Sequence, residues 1–378
     1  MSNTIGKIFR VTTAGESYGG YYQQQLHNTP GGLITIIDGV PAGIEITPDC
    51  ILSELDKRRT NVSFATTKRH EKDEAIIFAG VMENSITTGA PLGILVTNTD
   101  INHEQAKKHL DNKNIIRPGH ANYAYYKKYG KHMDVLGGGR ASGRETVCRV
   151  VAGAVAKKIL DIFGIDVIAY TVESHGIKAR NISYLDAKKN YRKNIINCPD
   201  LDAAEAMISD LKDVSANNNS CGGVIEIIVK GTMAGLGEPV FDKIDALLAH
   251  ALMSIGGVKG VEFGIGFDHA HMLGTETNDI PYINDHGNIS FRTNNAGGIL
   301  GGITTGEEIR IRVAIKPTPT VAIPQDTVDM KKMQDTKILF STKNDVSLCT
   351  RIYPVCEAMV RIVILDALMQ QRAIMNLY

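Results

Sequence analysis

The chain has 378 residues, 43% hydrophobic and 22% charged, an ordinary balance for a soluble globular protein long enough to bury a sizeable core. Its 41 Lys and Arg equal its 41 Asp and Glu, so the surface as a whole offers no pull toward nucleic acid or membrane, and anion binding must come from local clusters. The six cysteines, Cys50, Cys148, Cys198, Cys221, Cys349 and Cys356, show no C-x-x-C pair or zinc-finger spacing and predict reduced thiols in a cytoplasmic protein. Residues 1–9 lack the apolar run of a signal peptide, and no stretch reaches the roughly eighteen apolar residues of a membrane span. A soluble, intracellular protein is expected.

Residues 7–13 and 33–37 predict strands around the loop Ala14-Gly15-Glu16-Ser17-Tyr18-Gly19-Gly20. Residues 53–59 predict a helix ending in Lys57, Arg58 and Arg59, where basic side chains complement the helix dipole as readily as they bind a ligand. Two further strand-like runs between 74 and 96 flank the turn at 87–91. Residues 117–144 then place His120 in a Pro-Gly turn, followed by Gly137-Gly138-Gly139 among arginines. Glycines let backbone approach a ligand, arginines present forks for carboxylate or phosphate, and histidine moves protons near neutrality.

Val147, Val150, Val151, Ala154, Val155, Ile159 and Ile162 recur at helical spacing and predict a helix over 146–163. The glycine-arginine loop therefore lies at a helix N-terminus, a favourable place for an anion. Residues 165–220 are polar and weakly patterned, and read as a surface excursion. Residues 224–230 predict a strand, and 241–255 a helix with Phe241, Ile244, Leu248, Leu252 and Ile255 on one stripe, ending at Gly256-Gly257. A second glycine loop over 294–302 precedes a strand in which Ile309, Ile311, Val313 and Ile315 alternate with polar residues, closing on Lys316-Pro317-Thr318-Pro319-Thr320. Residues 325–344 read as a mobile polar segment. Residues 354–374 predict a helix apolar nearly all round, hence central. Adjacent strand runs with long helices apart predict an α+β fold, taken here as a single domain over 1–378.

No G-x-x-x-x-G-K-[ST] sequence occurs, and Gly137 to Gly143 fail the G-x-G-x-x-G register. No H-E-x-x-H or cysteine cluster suggests a metal. Gly15, Ser17 and Gly19 are spaced like a nucleophile elbow without its strand-turn-helix context. What remains is a set of glycine loops near Arg, Lys or hydroxyl groups, with His120 and Asp345. The residues alone point to an enzyme or binder for a multiply anionic, phosphorylated ligand.

These loops resemble the chorismate synthase family. The matching stretches, in order, are Arg117-Pro118-Gly119-His120-Ala121, Gly137-Gly138-Gly139-Arg140-Ala141-Ser142, Gly235-Leu236-Gly237-Glu238-Pro239-Val240-Phe241, Ala251-Leu252-Met253-Ser254-Ile255, the loop 296–302 and Lys316-Pro317-Thr318. The resemblance implies a β-α-β sandwich with long helices between antiparallel sheets, assembled as a homotetramer. It implies a cytoplasmic lyase of the shikimate pathway, serving aromatic amino acid biosynthesis and associated with NADP. The implied reaction is the 1,4-anti elimination of phosphate from 5-enolpyruvylshikimate 3-phosphate, giving chorismate with reduced FMN as cofactor. Arg58, Arg117 and Arg144, with Ser17 and Ser142, would grip the substrate. Arg140, Ala141, Ser142, Gly256, Gly257, Gly301, Lys316, Pro317, Thr318, Pro319, Thr320 and Lys343 would hold FMN. His120 would hydrogen-bond or protonate reduced flavin, and Asp345 would help remove the C6 proton of the substrate.

Some positions depart from the family pattern. Tyr18 stands where the family carries a histidine proposed to assist the departing phosphate, and a phenol is not cationic at pH 7. The family's Arg-His-Asp-Pro-Cys reads Lys343-Asn344-Asp345-Val346-Ser347, Phe64 replaces a frequent arginine and Gly143 a frequent alanine. These departures define the alternative, a catalytically impaired or non-catalytic flavin-binding relative that keeps fold and assembly.

Overall fold

Two five-stranded antiparallel sheets enclose a pair of long helices in the computed structural model, which describes residues 3–18, 31–59, 64–66, 73–98, 103–180, 182–340 and 345–375. The first sheet runs Thr4–Ile5, Arg10–Ala14, Gly32–Asp38, Leu92–Thr97, Ala75–Ala79. Along Gly32–Asp38, Leu33, Thr35 and Ile37 are buried while Ile34 and Ile36 face out, the period-two pattern of a sheet covered on one side. The second sheet runs Ile177–Lys178, Asp166–Ser174, Gly223–Lys230, Ile309–Ile315, Val258–Phe263. Ile311 pairs with Ile227 and Val313 with Ile225, and all four are buried.

The helix Thr146–Ile162 packs on the first sheet and on the helix Cys349–Met375, which in turn covers Asp166–Ser174 of the second. The two helices nearly touch at Gly153, where a Cβ would lie 2.3 Å from that of Ala358. Any side chain there would drive the layers apart. This is the α+β, β-α-β sandwich that the resemblance implies.

The last helix carries a charged network into the core. Arg361 meets Glu54 at 2.7 Å and Glu357 at 3.1 Å, and Lys57 meets the same carboxylates at 2.8 and 2.9 Å. Burial opposes ionisation of Glu54, but Arg361 and Lys57 outweigh it and hold the carboxyl down to about 2. Glu357 also accepts from the Ala169 amide at 3.0 Å, and Arg361 donates to the Val167 carbonyl at 2.9 Å. Lys57 therefore binds the helix Pro48–Leu55 to the layers beside it. Its neighbour Arg58 turns elsewhere.

Several expectations need correction. Residues 165–220 do not form a surface excursion throughout, because Asp166–Ser174 is an inner strand of the second sheet. Five consecutive residues from Val167 to Thr171 are buried, so no alternation marks the strand in the sequence. The helix expected over 53–59 begins earlier, as Pro48–Leu55, where Thr47 Oγ1 accepts from the Cys50 amide at 3.3 Å, and continues as a 3-10 turn over Asp56–Arg58. Phe241 lies outside the helix Ile244–Met253 and is 89% exposed. Residues 325–344 carry a hairpin, Gln325–Asp329 with Gln334–Ile338. The final helix starts at Cys349 and runs through Pro354. A proline in that position cannot donate to the carbonyl of residue 350, and Asn197 Nδ2 donates there instead, at 3.2 Å.

Candidate functional site

A cavity of about 210 Å³ opens beside the turn at 117–120, lined among others by the basic residues Lys108, Lys113 and Arg117, by His109 and His120, by the carboxylate of Asp134 and by Gly138. The turn is held by its own side chains. Asn122 Oδ1 accepts from the Arg117 amide at 3.1 Å, and Asn122 Nδ2 donates to the Ile115 carbonyl at 3.1 Å. The Asn122 amide donates to His120 Nδ1 at 3.2 Å. That assigns the proton of the neutral ring to Nε2. Nε2 lies against Gly138, where a Cβ would sit 3.1 Å away on a backbone of φ 105°.

Burial, together with Arg117, Lys316 and His109, pushes His120 down to about 3. Burial and Arg117 push His109 down to about 4. Arg117 is itself lowered to about 10 by burial. Its guanidinium has no ion-pair or hydrogen-bond partner among the described residues. The cavity thus holds a half-buried cation with no ion-pair partner among the described residues, near two imidazoles whose charged forms burial disfavours, an arrangement that an incoming anion would relieve.

Ser17 and Tyr18 pack behind the cavity wall, against His109 and the glycine triplet. Both residues are buried, and Tyr18 packs with Leu136 and Ala106 and stands edge-on to His109 at 6.0 Å. A Cβ at Gly137 would fall 2.6 Å from the Tyr18 ring and 2.9 Å from Ser17 Oγ. The first glycine of the triplet is therefore where the two loops meet.

Arg140 points the other way. It donates to the Gly15 carbonyl and Thr13 Oγ1, both at 2.9 Å, and to Asn3 Oδ1 at 3.1 Å, fastening the glycine turn to the edge of the first sheet. Ser142 Oγ accepts from the Arg144 amide at 3.2 Å and caps the short turn Gly143–Glu145.

Arg58 and Arg144 form a second, buried cluster around Asp73. Arg144 pairs with one Asp73 oxygen and donates to Asn98 Oδ1 at 3.1 Å and the Thr97 carbonyl at 3.3 Å. Arg58 meets the other oxygen at 3.4 Å and donates to Thr146 Oγ1 at 3.0 Å. Burial lowers Arg58 to about 10 against the pull of Asp73, and its buried Nε has no partner among the described residues. Asp73 was missed in the sequence, where it sits in an unpatterned polar run.

Lys316 Nζ donates to the Gly119 carbonyl at 2.7 Å, laying the segment after Ile309–Ile315 across the His120 turn. Pro319 touches the same turn, since a Cβ at Gly119 would lie 3.1 Å from its own. The Lys316 amide donates to the Gly257 carbonyl at 2.9 Å, and Gly256 faces the Ala141 carbonyl. Thr318 Oγ1 is buried with no partner among the described residues. A buried hydroxyl without a protein partner is suited to hydrogen-bond an anionic oxygen of a bound ligand. Gly301 sits in an exposed hairpin turn outside the cavity wall.

Asp345 lies 3.3 and 3.4 Å from Arg351, which also donates to the Arg58 carbonyl at 3.2 Å. Val346 is buried and donates its amide to Ala65. Phe64 is 40% exposed. Lys343 and Asn344 lie outside the described residues. Among the described residues no helix is long and apolar enough to cross a membrane.

Comparison with known proteins bears directly on this constellation. The family model described as chorismate synthase matches residues 9–369. A chorismate synthase of Acetivibrio thermocellus is 57% identical over 373 residues, 97% of this chain and 95% of its own length. One from Methanococcoides burtonii is 45% identical over 96% of this chain and 95% of its own. A solved structure, described as a crystal structure of chorismate synthase, matches at TM-score 0.75 and 27% identity over 97% of this chain and 93% of that one. Layer order, loop motifs and near-complete coverage agree, and the chain belongs to the chorismate synthase family.

Proposed function

We propose that this chain catalyses the 1,4-anti elimination of phosphate from 5-enolpyruvylshikimate 3-phosphate, giving chorismate, with reduced FMN as its cofactor. The observation that carries the reading beyond family membership is the half-buried Arg117 guanidinium, without an ion-pair partner among the described residues, in the cavity beside His120. The substrate brings a phosphate and two carboxylates, and Arg58, Arg117 and Arg144 would receive them, Arg58 and Arg144 from positions oriented by Asp73. Ser17 and Ser142 would assist them.

Ala141, Ser142, Gly256, Gly257 and the segment 316–320 would hold FMN, with Gly301 and Lys343 as further contacts. Arg140 would serve by holding the glycine turn in place. The reduced flavin supplies electron density to a reaction that is redox-neutral overall. His120, neutral with its proton on Nε2, donates a hydrogen bond toward the cofactor and becomes able to hold a second proton once negative charge arrives. Asp345 takes the C6 proton as the bond to the departing phosphate breaks. Tyr18 contributes at most a hydrogen bond to that phosphate.

A homotetramer is part of the same reading. It is supported by the outward face of the first sheet, where Ile34 and Ile36 of Gly32–Asp38 and Ile76 and Phe78 of the edge strand Ala75–Ala79 are exposed. The expected setting is the cytoplasm. Nothing in the comparisons favours the impaired alternative, and the chain retains His120, Arg117, Arg144 and Asp345.

The test is an anaerobic assay of the full chain with chemically reduced FMN and 5-enolpyruvylshikimate 3-phosphate. Flavin-dependent phosphate release is expected; release no greater than in a flavin-free control would end the proposal.

A further inference from the structure

The guanidinium of Arg351 belongs to neither of the cation clusters described above, yet it joins two parts of the site. It projects from the first turn of the helix Cys349–Met375, where its amide donates to the Leu348 carbonyl at 3.0 Å. Its Nε donates to the Arg58 carbonyl at 3.2 Å, and its Nη1 lies 3.3 and 3.4 Å from the two oxygens of Asp345. One planar group thus reaches the backbone of a substrate-gripping arginine and the carboxylate read as the base.

The helix end of this bridge is rigid. Tyr353 OH donates to the Lys57 carbonyl at 3.3 Å, and Lys57 Nζ lies 2.8 and 2.9 Å from the buried carboxylates of Glu54 and Glu357. The turn Asp56–Arg58 is therefore pinned to the final helix at consecutive carbonyls, by Tyr353 and by Arg351. Asp345 stands at the other end, next to Val346, whose amide and carbonyl are both engaged, with Ala65 and Cys221. Backbone bonds hold residue 346, and Arg351 contacts the side chain before it.

We propose that Arg351 is a positioning residue for the elimination, setting the Asp345 carboxylate at a fixed place relative to the Arg58 turn so that substrate grip and proton removal act on one bound geometry. The inference rests on the reading of Asp345 as base. A tight guanidinium-carboxylate pair closes to about 2.7–2.9 Å. At 3.3 and 3.4 Å the contact reaches both carboxylate oxygens without closing to that tight pair. Lysine cannot replace the bridge, because an ammonium is a single point charge without the planar fork. A misplacement of about 1 Å at a reacting group can cost roughly 10²-fold in rate.

The test uses the full chain with reduced FMN under anaerobic conditions, and substrate carrying hydrogen or deuterium at C6. Arg351→Gln is expected to lower kcat by about 10²-fold, with a far smaller change in KM and a larger deuterium effect on kcat. FMN affinity and the thermal midpoint should stay near those of the parent. Arg351→Lys should lower kcat in the same direction, and it decides the matter if the glutamine variant does not fold. A folded variant with parental kcat and isotope effect would overturn the proposal. So would a fall in kcat accompanied by parallel losses of FMN affinity and stability, the mark of a merely structural residue. Asp345→Asn separates the two readings. Turnover lost in Asp345→Asn but kept in both Arg351 variants removes Arg351 alone, whereas turnover kept in Asp345→Asn removes the base and the positioning role together.

Discussion

The site holds its arginines in two different electrostatic conditions. Arg58 and Arg144 are buried around Asp73, which meets Arg144 through one oxygen and Arg58 through the other. Arg117 is also lowered by burial, but no carboxylate answers it among the described residues. The first cluster is a finished structural unit that keeps its cations oriented before any ligand arrives. The second has no ion pair among the described residues, and on the proposed function the anionic substrate would supply it. The same residue type serves stability in one place and affinity in the other, depending on whether a counterion is built in.

Exchanging the arginines breaks this comparison most directly. Arg117→Met should reduce kcat/KM for the enolpyruvyl substrate by about 30-fold or more, the range for removing one partner of a desolvated charge pair. Its urea midpoint should hold or rise, because a half-buried cation without an ion-pair partner among the described residues has gone. Arg144→Met should instead lower stability by roughly 3–5 kcal/mol, since Asp73 is left buried without its closest partner. Adding Asp73→Asn to Arg144→Met should recover part of that loss. Equal stability losses in Arg117→Met and Arg144→Met, measured by urea denaturation, would erase the distinction.

Protons sharpen the same contrast with a smaller effect. His109 and His120 are held at about 4 and about 3, below the roughly 6.5 of an unfolded chain. The unfolded chain therefore binds more protons than the folded one as pH falls below about 6.5, and stability falls with it toward those folded values. The contribution is fully present above about 6.5. Urea denaturation at pH 7.5 and pH 5 should show the loss, and His109→Gln should flatten it. Inorganic phosphate in the cavity should reduce the slope by raising both histidines.

The smallest effect is expected at Tyr18. Tyr18→His should raise kcat, by less than the ~10²-fold lower bound of a full general acid, because the ring it replaces also packs with Leu136 and Ala106. Steady-state kinetics of the variant measure this. An unchanged or lower kcat would mean that the loop has re-adapted around tyrosine, with His109 already edge-on to it.

Local signals were legible wherever chemistry and backbone geometry coincide. The Pro-Gly turn around His120, the glycine triplet and the alternating strand Ile309–Ile315 all stand where the chain pattern puts them. Asp166–Ser174 escaped because five buried residues in a row leave no period to read. Pro354 disguised the start of the final helix, and only the distant Asn197 shows how its cost is offset. Asp73 had no signal at all, being one acidic residue in a polar run.

The sequence by itself determined the family, the α+β class and the order of the loops, because those depend on local periodicity and on motifs with strict backbone requirements. Tertiary structure decided what each basic residue does. Lys57 enters a core ion network, Arg140 fastens a turn, Arg58 and Arg144 share Asp73, and Arg117 faces a cavity without an ion-pair partner among the described residues. The physical reason is that a charge acquires its role from burial and partners, and here those partners arrive from segments far apart in the chain.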